Sequence, residues 1–302
     1  MEIGLELGEI RVRLHERRNR SCLNWPLWTF EPFQTTVGDQ ADIDLEVRVT
    51  RRLPDIPHGR LVFDAGHGLW TLFETEAGGC YLETLDTRTR RPYIRAVLDG
   101  ALARGEIWAR EFRDCRRGLR GWAPPTIINP VVELCLLTWL ARHGGVLLHG
   151  AGVVWDGVGL IFTGPSEAGK STLSEFYLAR GAPVLSDERI IIRRIGDTFR
   201  LCGTPWPGTA GAVSRQVAPL ERIYFIRHGS QGHRARRLAP SESARRFLQQ
   251  CFLPHWDREA MARTLTFLEA LQERVECYEL AFMKDPDVVD FLGSASVPAE
   301  ER

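Results

Sequence analysis

One segment of eight residues constrains this chain more than any other. Gly164 to Ser171 reads GPSEAGKS and fits the pattern G-x-x-x-x-G-K-[ST]. An apolar run ends just before it and a helical pattern begins at Lys170, and in such a strand-to-helix loop the inward-facing backbone N–H groups and the positive helix end bind phosphate oxygens. We therefore predict a Walker A phosphate loop (P-loop) formed by Gly164, Pro165, Ser166, Glu167, Ala168, Gly169, Lys170, Ser171 and Thr172.

Basic residue usage supports this interpretation. Only Lys170 and Lys284 are lysines among 39 basic residues, so the chain keeps a compact ammonium where a planar guanidinium would not substitute for it. Lys170 is expected to contact the β- and γ-phosphates of ATP, and the Ser171 hydroxyl to ligate Mg²⁺. Glu167 stands where many such loops have glycine, and its carboxylate would repel a triphosphate unless it faces solvent or a partner. The plainer alternative is a glycine-rich turn without a ligand.

Two acidic residues follow the next apolar run. Asp187 and Glu188 stand at the end of a strand predicted for 183–186, one helix after Lys170. Phosphoryl transfer needs metal ligands and a carboxylate that positions the attacking hydroxyl, so Asp187 is the candidate base and Glu188 a candidate Mg²⁺ ligand. The alternative for the pair is a turn acid and a solvated surface acid. His149 ends the strand predicted for 146–149, before the loop, and is a candidate for the same site. A lone histidine, however, more often has a structural role.

These residues together resemble the catalytic domain of the HPr kinase/phosphorylase family, bacterial protein-serine kinases whose fold is akin to that of phosphoenolpyruvate carboxykinase. The resemblance covers about residues 146 to 200. It rests on His149-Gly150, the Asp156-Gly157 hairpin, GPSEAGKST from Gly164 to Thr172, Ala179-Arg180-Gly181 and Ser186-Asp187-Glu188-Arg189. The family usually has Asp where this chain has Glu188, and no later Arg-Pro-Gly segment is recognisable, which argues against the reverse phosphorylase reaction.

The resemblance implies a role for each of these residues. Asp187 would be the proton acceptor, His149 would support it, and Ser171 with Glu188 would hold Mg²⁺. The segment 203–209, GTPWPGT, followed by 218–221, APLE, resembles divergent members such as the lasso-peptide kinases, which implies a peptide acceptor. Family members often form rings, so the resemblance also leaves a homo-oligomer open. Five arginines are further candidates for gripping phosphate or a carboxylate, although surface charge is the plainer reading: Arg215, Arg227, Arg234, Arg236 and Arg237.

Composition excludes several function classes. The 39 acidic and 39 basic residues balance, so no overall positive field draws the chain to nucleic acid or an anionic membrane. The sequence shows neither a signal-peptide pattern nor an apolar run of the roughly 18 to 20 residues that span a bilayer, so we predict a cytoplasmic protein without a membrane segment. Seven scattered cysteines predict neither disulfides nor a zinc site.

The predicted fold class is α/β, with two domains and a tail. Residues 1–122 should form a mainly antiparallel β domain with strands at 44–49, 60–63, 69–73 and 80–85. Residues 127–292 should form a P-loop kinase core of mixed sheet and helices, like that of HPr kinase and phosphoenolpyruvate carboxykinase. In it Asn129 caps a helix with Pro130 in its first turn and Gly144 at its end. Residues 293–302 are predicted to be a flexible tail.

The sequence thus predicts an ATP-dependent kinase that phosphorylates a serine-type hydroxyl of a peptide or protein. A kinase of a free small molecule, such as serine or a sugar, is the enzymatic alternative. A non-catalytic nucleotide-binding module that recruits a partner is the third, because Glu167 would weaken catalysis.

Overall fold

The structure of the protein is a computed structural model, and it describes residues 2–16, 28–38, 40–66, 69–86, 89–114, 119–122 and 124–294. These residues form two compact units. The first consists of the described residues up to Trp139 together with Pro254–Ala260, and the second of Leu140–Leu253 with the described residues from Met261 onward. The chain therefore passes from one unit to the other later than the expected boundary at 122–127.

The first unit is built on one eight-stranded sheet. Its strands are β1 (Glu2–Leu7), β2 (Ile10–Glu16), β3 (Ile43–Thr50), β4 (Leu61–Asp64), β5 (Trp70–Glu74), β6 (Cys80–Leu85), β7 (Pro92–Leu98) and β8 (Arg104–Arg110). They lie in the order β1-β2-β3-β8-β7-β6-β5-β4. Strand β3 is parallel to both neighbours, β2 and β8, and the other five pairings are antiparallel. The sheet is therefore mixed, with antiparallel pairs in the majority.

The remainder of the first unit contains a short ribbon and helical turns. Strands β9 (Phe112–Asp114) and β10 (Leu119–Gly121) pair antiparallel. Helix α1 (Pro124–Ile127) leads through a wide helical turn at 128–132 into α2 (Glu133–Arg142), of which the residues from Leu140 belong to the second unit. Prolines are tolerated in a first helical turn because the N–H they lack has no intrahelical acceptor there. The stretch Pro124–Arg142 is long and apolar enough to cross a bilayer, contrary to the expectation that the chain has no such run, but most of it is buried, as the core helix of a soluble protein also is.

The backbone of Asn129 agrees with the prediction that it caps the helix. It has φ −114° and ψ 114°, the extended conformation of an N-cap residue, at a kink where two helical stretches meet. Helical turns also precede it, from Pro124. The two prolines at 124 and 125 begin the first of these helical stretches. The predicted end is close to the observed one, since α2 ends at Arg142 and Gly144 has a φ of +74°.

The second unit contains a nine-stranded sheet and four helices. Its strands are β11 (Gly145–Trp155), β12 (Val158–Thr163), β13 (Val184–Ser186), β14 (Arg189–Ile195), β15 (Thr198–Cys202), β16 (Val217–His228), β17 (Arg234–Arg237), β18 (Cys251–Phe252) and β19 (Glu276–Phe282). The helices are α3 (Lys170–Ala179), α4 (Pro240–Gln250), α5 (Arg258–Arg274, of which the residues from Met261 belong here) and α6 (Val288–Ser294). Gly293 and Ser294, predicted to begin the tail, thus close α6, and residues 295–302 lie outside the described residues.

Two long strands change partners along their length. Residues 145–149 of β11 pair with β14, and residues 150–155 pair with β12. Strand β16 likewise pairs with β15 through 217–219 and then runs parallel to both β12 and β19. The carboxyl ends of β12, β16 and β19 therefore meet at one edge of the sheet, and the partner change of β11 falls at His149, close to that edge. Such edges are where ligands bind in open α/β sheets.

Apolar side chains cover both faces of this sheet. On β12, Ile161 packs into one cluster with Leu268 of α5, whereas its neighbour Phe162 packs into another with Leu173 and Tyr177 of α3. Because successive strand residues face opposite sides, a strand buried on both faces has an unbroken apolar sequence. Tyr177 lies 5.5 Å from Phe162, ring centre to ring centre. These contacts hold α3 against the sheet and so fix the position of its first residue, Lys170.

Candidate functional site

A tight hairpin sets the position of the loop at 164–169. Strands β11 and β12 are joined by Asp156 and Gly157, both with positive φ (50° and 81°), as two-residue hairpins require. This pairing places Thr163, the last residue of β12, opposite Gly150. The Thr163 hydroxyl donates to the backbone oxygen of His149 over 2.7 Å. The start of the loop is thereby fixed beside His149, in the hairpin that the sequence predicted.

The loop itself contains two residues with positive φ. Gly169 has φ +104°, and a Cβ there would lie 2.6 Å from Cζ of the buried ring of Phe282, so only glycine fits. Glu167 has φ +66°, an uncommon conformation for a residue with a side chain. Its side chain is exposed, and its backbone oxygen accepts a hydrogen bond from His228 Nε2 over 2.9 Å. The conformation at 167 thus suits glycine, the residue that many such loops have at this position.

Lys170 begins α3 and is buried, with 7% of its surface exposed. Its Nζ donates to the backbone oxygens of Gly164 over 2.8 Å and Pro165 over 3.0 Å. Burial lowers the pKa of Lys170, and the nearby carboxylates of Glu188 and Asp187 oppose that shift. An ammonium has three hydrogens to donate, so one remains for a further acceptor.

Asp187 follows β13 and is almost fully buried, with 1% exposed. Its Oδ1 accepts from Gly208 N over 2.7 Å, and its Oδ2 accepts from Ala210 N over 2.8 Å and from Ser171 Oγ over 2.9 Å. A Cβ at Gly208 would stand 2.7 Å from Oδ2, which explains the glycine. A carboxylate has about four acceptor positions, so three are occupied and one is left.

His149 and Glu188 form the neighbouring wall. The Nδ1 of His149 donates to the backbone oxygen of Glu188 over 3.1 Å and lies 3.4 Å from its Oε1. Burial lowers the pKa of His149, the charge of Lys170 adds to this, and Glu188 opposes it. The neutral imidazole is therefore favoured near pH 7, with its proton on Nδ1, which leaves Nε2 as an acceptor.

These side chains line a single cavity of about 670 Å³. The structure brings together nine of the residues predicted from the sequence: His149, Ser166, Glu167, Gly169, Lys170, Ser171, Thr172, Asp187 and Glu188. The other three predicted loop residues do not line the cavity but lie next to residues that do. Gly164 and Pro165 supply the two backbone oxygens that Lys170 contacts, and Ala168 is buried with 5% exposed.

Comparisons with known proteins give limited similarity. No protein-family model matches the chain, and no curated protein matches it. Among solved structures, it is similar to the HPr(Ser) kinase/phosphatase from Coxiella burnetii. The match has 13% sequence identity and a TM-score of 0.28, and it covers 49% of this chain and 87% of that chain.

Four further residues line the cavity that the sequence analysis did not assign to the site: Glu175, Thr209, His228 and Lys284. Thr209 is the last residue of the segment 203–209 that carries the resemblance to the peptide kinases. His228 is the last residue of β16, and Lys284 follows β19 by two residues. Their approach to the loop depends on long-range parallel pairing, which no local pattern reveals. The available signal was the scarcity of lysine, since both lysines of the chain line this cavity.

None of the five arginine candidates is among the described residues that line the cavity. Three of them are instead paired with carboxylates. Arg227 lies 3.1 Å from Glu279, and the pairs Arg236–Glu242 and Arg237–Glu276 have distances of 3.0 and 3.1 Å. These pairs give structural reasons for the arginines that do not involve a ligand.

Proposed function

We propose that the chain is an ATP-dependent phosphotransferase that moves the γ-phosphoryl group to a serine-type hydroxyl, most simply of a peptide or protein. One observation carries the proposal. Three groups from separate segments of the chain line one cavity. They are a buried lysine, a hydroxyl that donates to a carboxylate, and a histidine next to a second carboxylate. These are the parts that phosphoryl transfer needs: a clamp, metal ligands and a group that positions the nucleophile.

The phosphate clamp would combine Lys170 with the start of α3. The first N–H groups of a helix have no acceptor within the helix and lie at its positive end. The third hydrogen of the Lys170 ammonium is available beside them. The cavity volume of about 670 Å³ lies within the range of pockets for small ligands. Together these features suit a polyphosphate.

Magnesium fits the side chains at the cavity. The Ser171 hydroxyl and the Glu188 carboxylate both line the cavity, and Mg²⁺ prefers such oxygen ligands. Within the described part of the chain, no group of three or more His, Cys, Asp or Glu is arranged for a metal ion. This agrees with Mg²⁺, which is usually held by one or two carboxylates together with substrate phosphates. When bound, the ion would neutralise charge on the transferred group.

The charge of the cavity supports a metal-complexed ligand. Its described lining carries four carboxylates, those of Glu167, Glu175, Asp187 and Glu188, and two ammonium groups. With neutral histidines the formal charge is therefore −2, which would repel a free polyphosphate. A divalent cation would neutralise that charge, so binding of ATP is expected to require Mg²⁺.

Asp187 is the proposed base. Its one remaining acceptor position would take the proton of the attacking hydroxyl as the new oxygen–phosphorus bond forms and the bond to ADP breaks. His149, neutral and held by Glu188, would support this carboxylate from the same wall. A cytoplasmic location, a peptide acceptor and assembly into a homo-oligomer belong to this proposal as well.

A second candidate is a module that binds nucleotide without transferring phosphate. The three donors already on Asp187 favour it, because they leave the carboxylate only one acceptor position for the proton of a nucleophile. A kinase of a free small molecule, such as serine or a sugar, remains the enzymatic alternative.

Single-turnover reactions with labelled ATP distinguish these functions. The enzyme is mixed with separate pools of peptides and metabolites, and any acceptor that gains a phosphate is identified by mass spectrometry. Asp187→Asn should abolish transfer while ATP still binds. Glu175→Gln is the matched control, because it removes the same charge from the same cavity at a residue without an assigned role. Intact bound ATP in the unmodified enzyme would favour the module, and undiminished turnover in Asp187→Asn would refute the base.

A further inference from the structure

Lys284 lies on the rim of the cavity and has no part in the function proposed so far. It is exposed, and it follows β19 by two residues. Among the residues that the structure describes, it has no carboxylate partner within ion-pair distance. Nearby arginines differ in this respect, since Arg227 is paired with Glu279 and Arg237 with Glu276. An unpaired ammonium beside a cavity is available to a ligand.

Composition supports a ligand-binding role for this lysine. Of the chain's 39 basic residues only two are lysines, and both line the same cavity. Of the described lining residues, these two are the only ones with a permanent positive charge. Without Lys284 the formal charge of the described lining would fall from −2 to −3. Lys284 therefore offsets repulsion that an anionic ligand would otherwise meet.

The order of the strands places Lys284 away from the reacting groups. His149 lies on β11, the loop follows β12, His228 ends β16, and Lys284 follows β19, and these four strands are successive neighbours. Strands lie ~4.8 Å apart, so three spacings separate the His149 side of the site from the Lys284 side by about 14 Å. A ligand with its reacting phosphate near Asp187 would extend its other phosphates along the loop toward Lys284.

Hydrogen bonds tie this rim to the loop. His228 Nε2 donates to the Glu167 oxygen, and Gly229 N donates to the Phe282 oxygen over 2.8 Å. Gly232 N contacts Met283 Sδ at 3.2 Å. The segment that carries Lys284 is thus connected through β16 to the loop at 164–169.

We infer that Lys284 is a second anchor for the polyphosphate tail of the phosphate donor, at the end of the cavity away from Asp187. The inference rests on the proposed function and adds a specificity-determining residue to it. It assigns Lys284 to the phosphates that are not transferred, neither to the nucleoside nor to the acceptor.

Calorimetric binding of Mg²⁺-ATP and of Mg²⁺-tripolyphosphate to the full chain tests this inference. Lys284→Gln should weaken both ligands about tenfold, as loss of a charge-assisted contact does, and should reduce the salt dependence of binding. Arg215→Gln is the matched control, because it removes one exposed positive charge outside the described lining of the cavity. Lys284→Ala serves as a second variant, and the melting temperature of each variant is compared with that of the unmodified chain.

Each result is decisive. Unchanged affinity for both ligands, or weakening of ATP alone, would overturn the inference, because the contact would then not be to phosphate. A raised KM for the acceptor with unchanged donor affinity would assign Lys284 to the acceptor and overturn it as well. If the unmodified chain binds neither ligand, the proposed function fails too. If Lys170→Met abolishes binding and Lys284→Gln does not change it, only this inference fails.

Discussion

Replacing Gly169 by alanine tests how the loop is held at the start of α3. An alanine would have to adopt φ +104°, and its Cβ would meet the Phe282 ring at 2.6 Å, where the ring is buried and cannot move aside. Forcing a side chain into positive φ costs about 1–2 kcal/mol, and overpacking a core adds about 1–3 kcal/mol. We therefore expect a loss of about 2–5 kcal/mol of folding free energy in the second unit.

Gly181→Ala is the matched control for this substitution. Gly181 lies at the other end of α3 with φ +78°, and a Cβ there would meet nothing within 4 Å. Gly181→Ala therefore carries the backbone strain of about 1–2 kcal/mol without the steric clash. Hydrogen exchange of the α3 amides measures the loss of local stability at this helix, and scanning calorimetry measures the loss of stability of the whole chain. If Gly169→Ala is no less stable than Gly181→Ala, the contact between Gly169 and Phe282 does not constrain the loop.

Two further predictions concern other charged residues. Arg13 makes two hydrogen bonds to Asp44 (2.9 and 2.6 Å), and these lower the pKa of that carboxyl below its ordinary 3.8. The stabilisation from this pair is therefore present above pH 3.8 and is lost as the pH falls through the lower pKa of the folded state. In urea titrations at several pH values, Asp44→Asn should lose less stability on acidification than the unmodified chain. An unchanged pH dependence would contradict this prediction. Glu167→Gly should change stability by less than about 1 kcal/mol, because relief of the positive φ offsets glycine's entropy. It should also tighten Mg²⁺-ATP binding several-fold in calorimetry, and weaker binding would contradict the repulsion argument.

The sequence predicted the parts of the site that depend on local patterns. The loop at 164–169, the Asp156-Gly157 hairpin and the acids after β13 each lie within a short segment whose residues determine its conformation. Strand β6 has the bounds that were predicted, because its apolar pattern is interrupted cleanly at both ends. The roles assigned to Asp187, His149 and Glu188 stay predictions, although the structure places all three at one cavity.

The parts of the fold and the site that the sequence did not predict depend on contacts between distant segments. Strands β1 and β2 were not predicted; their turn at Gly8 and Glu9 places positive φ on a glutamate, which is not a recognised turn signal. His228 and Lys284 reach the cavity only because β16 and β19 run parallel to β12. The backbone N–H groups that hold Asp187 come from Gly208 and Ala210, whose side chains carry no information about that bond.

The cavity around Lys170 is the proposed site of a nucleoside triphosphate with Mg²⁺. Calorimetry of Mg²⁺-ATP with the unmodified chain and with Lys170→Met tests it most directly, because methionine keeps the length of the side chain and removes its charge. We predict one site in the unmodified chain and a loss of at least about 100-fold in affinity in the variant. Equal affinity in both proteins, or no binding to the unmodified chain, would contradict the proposal.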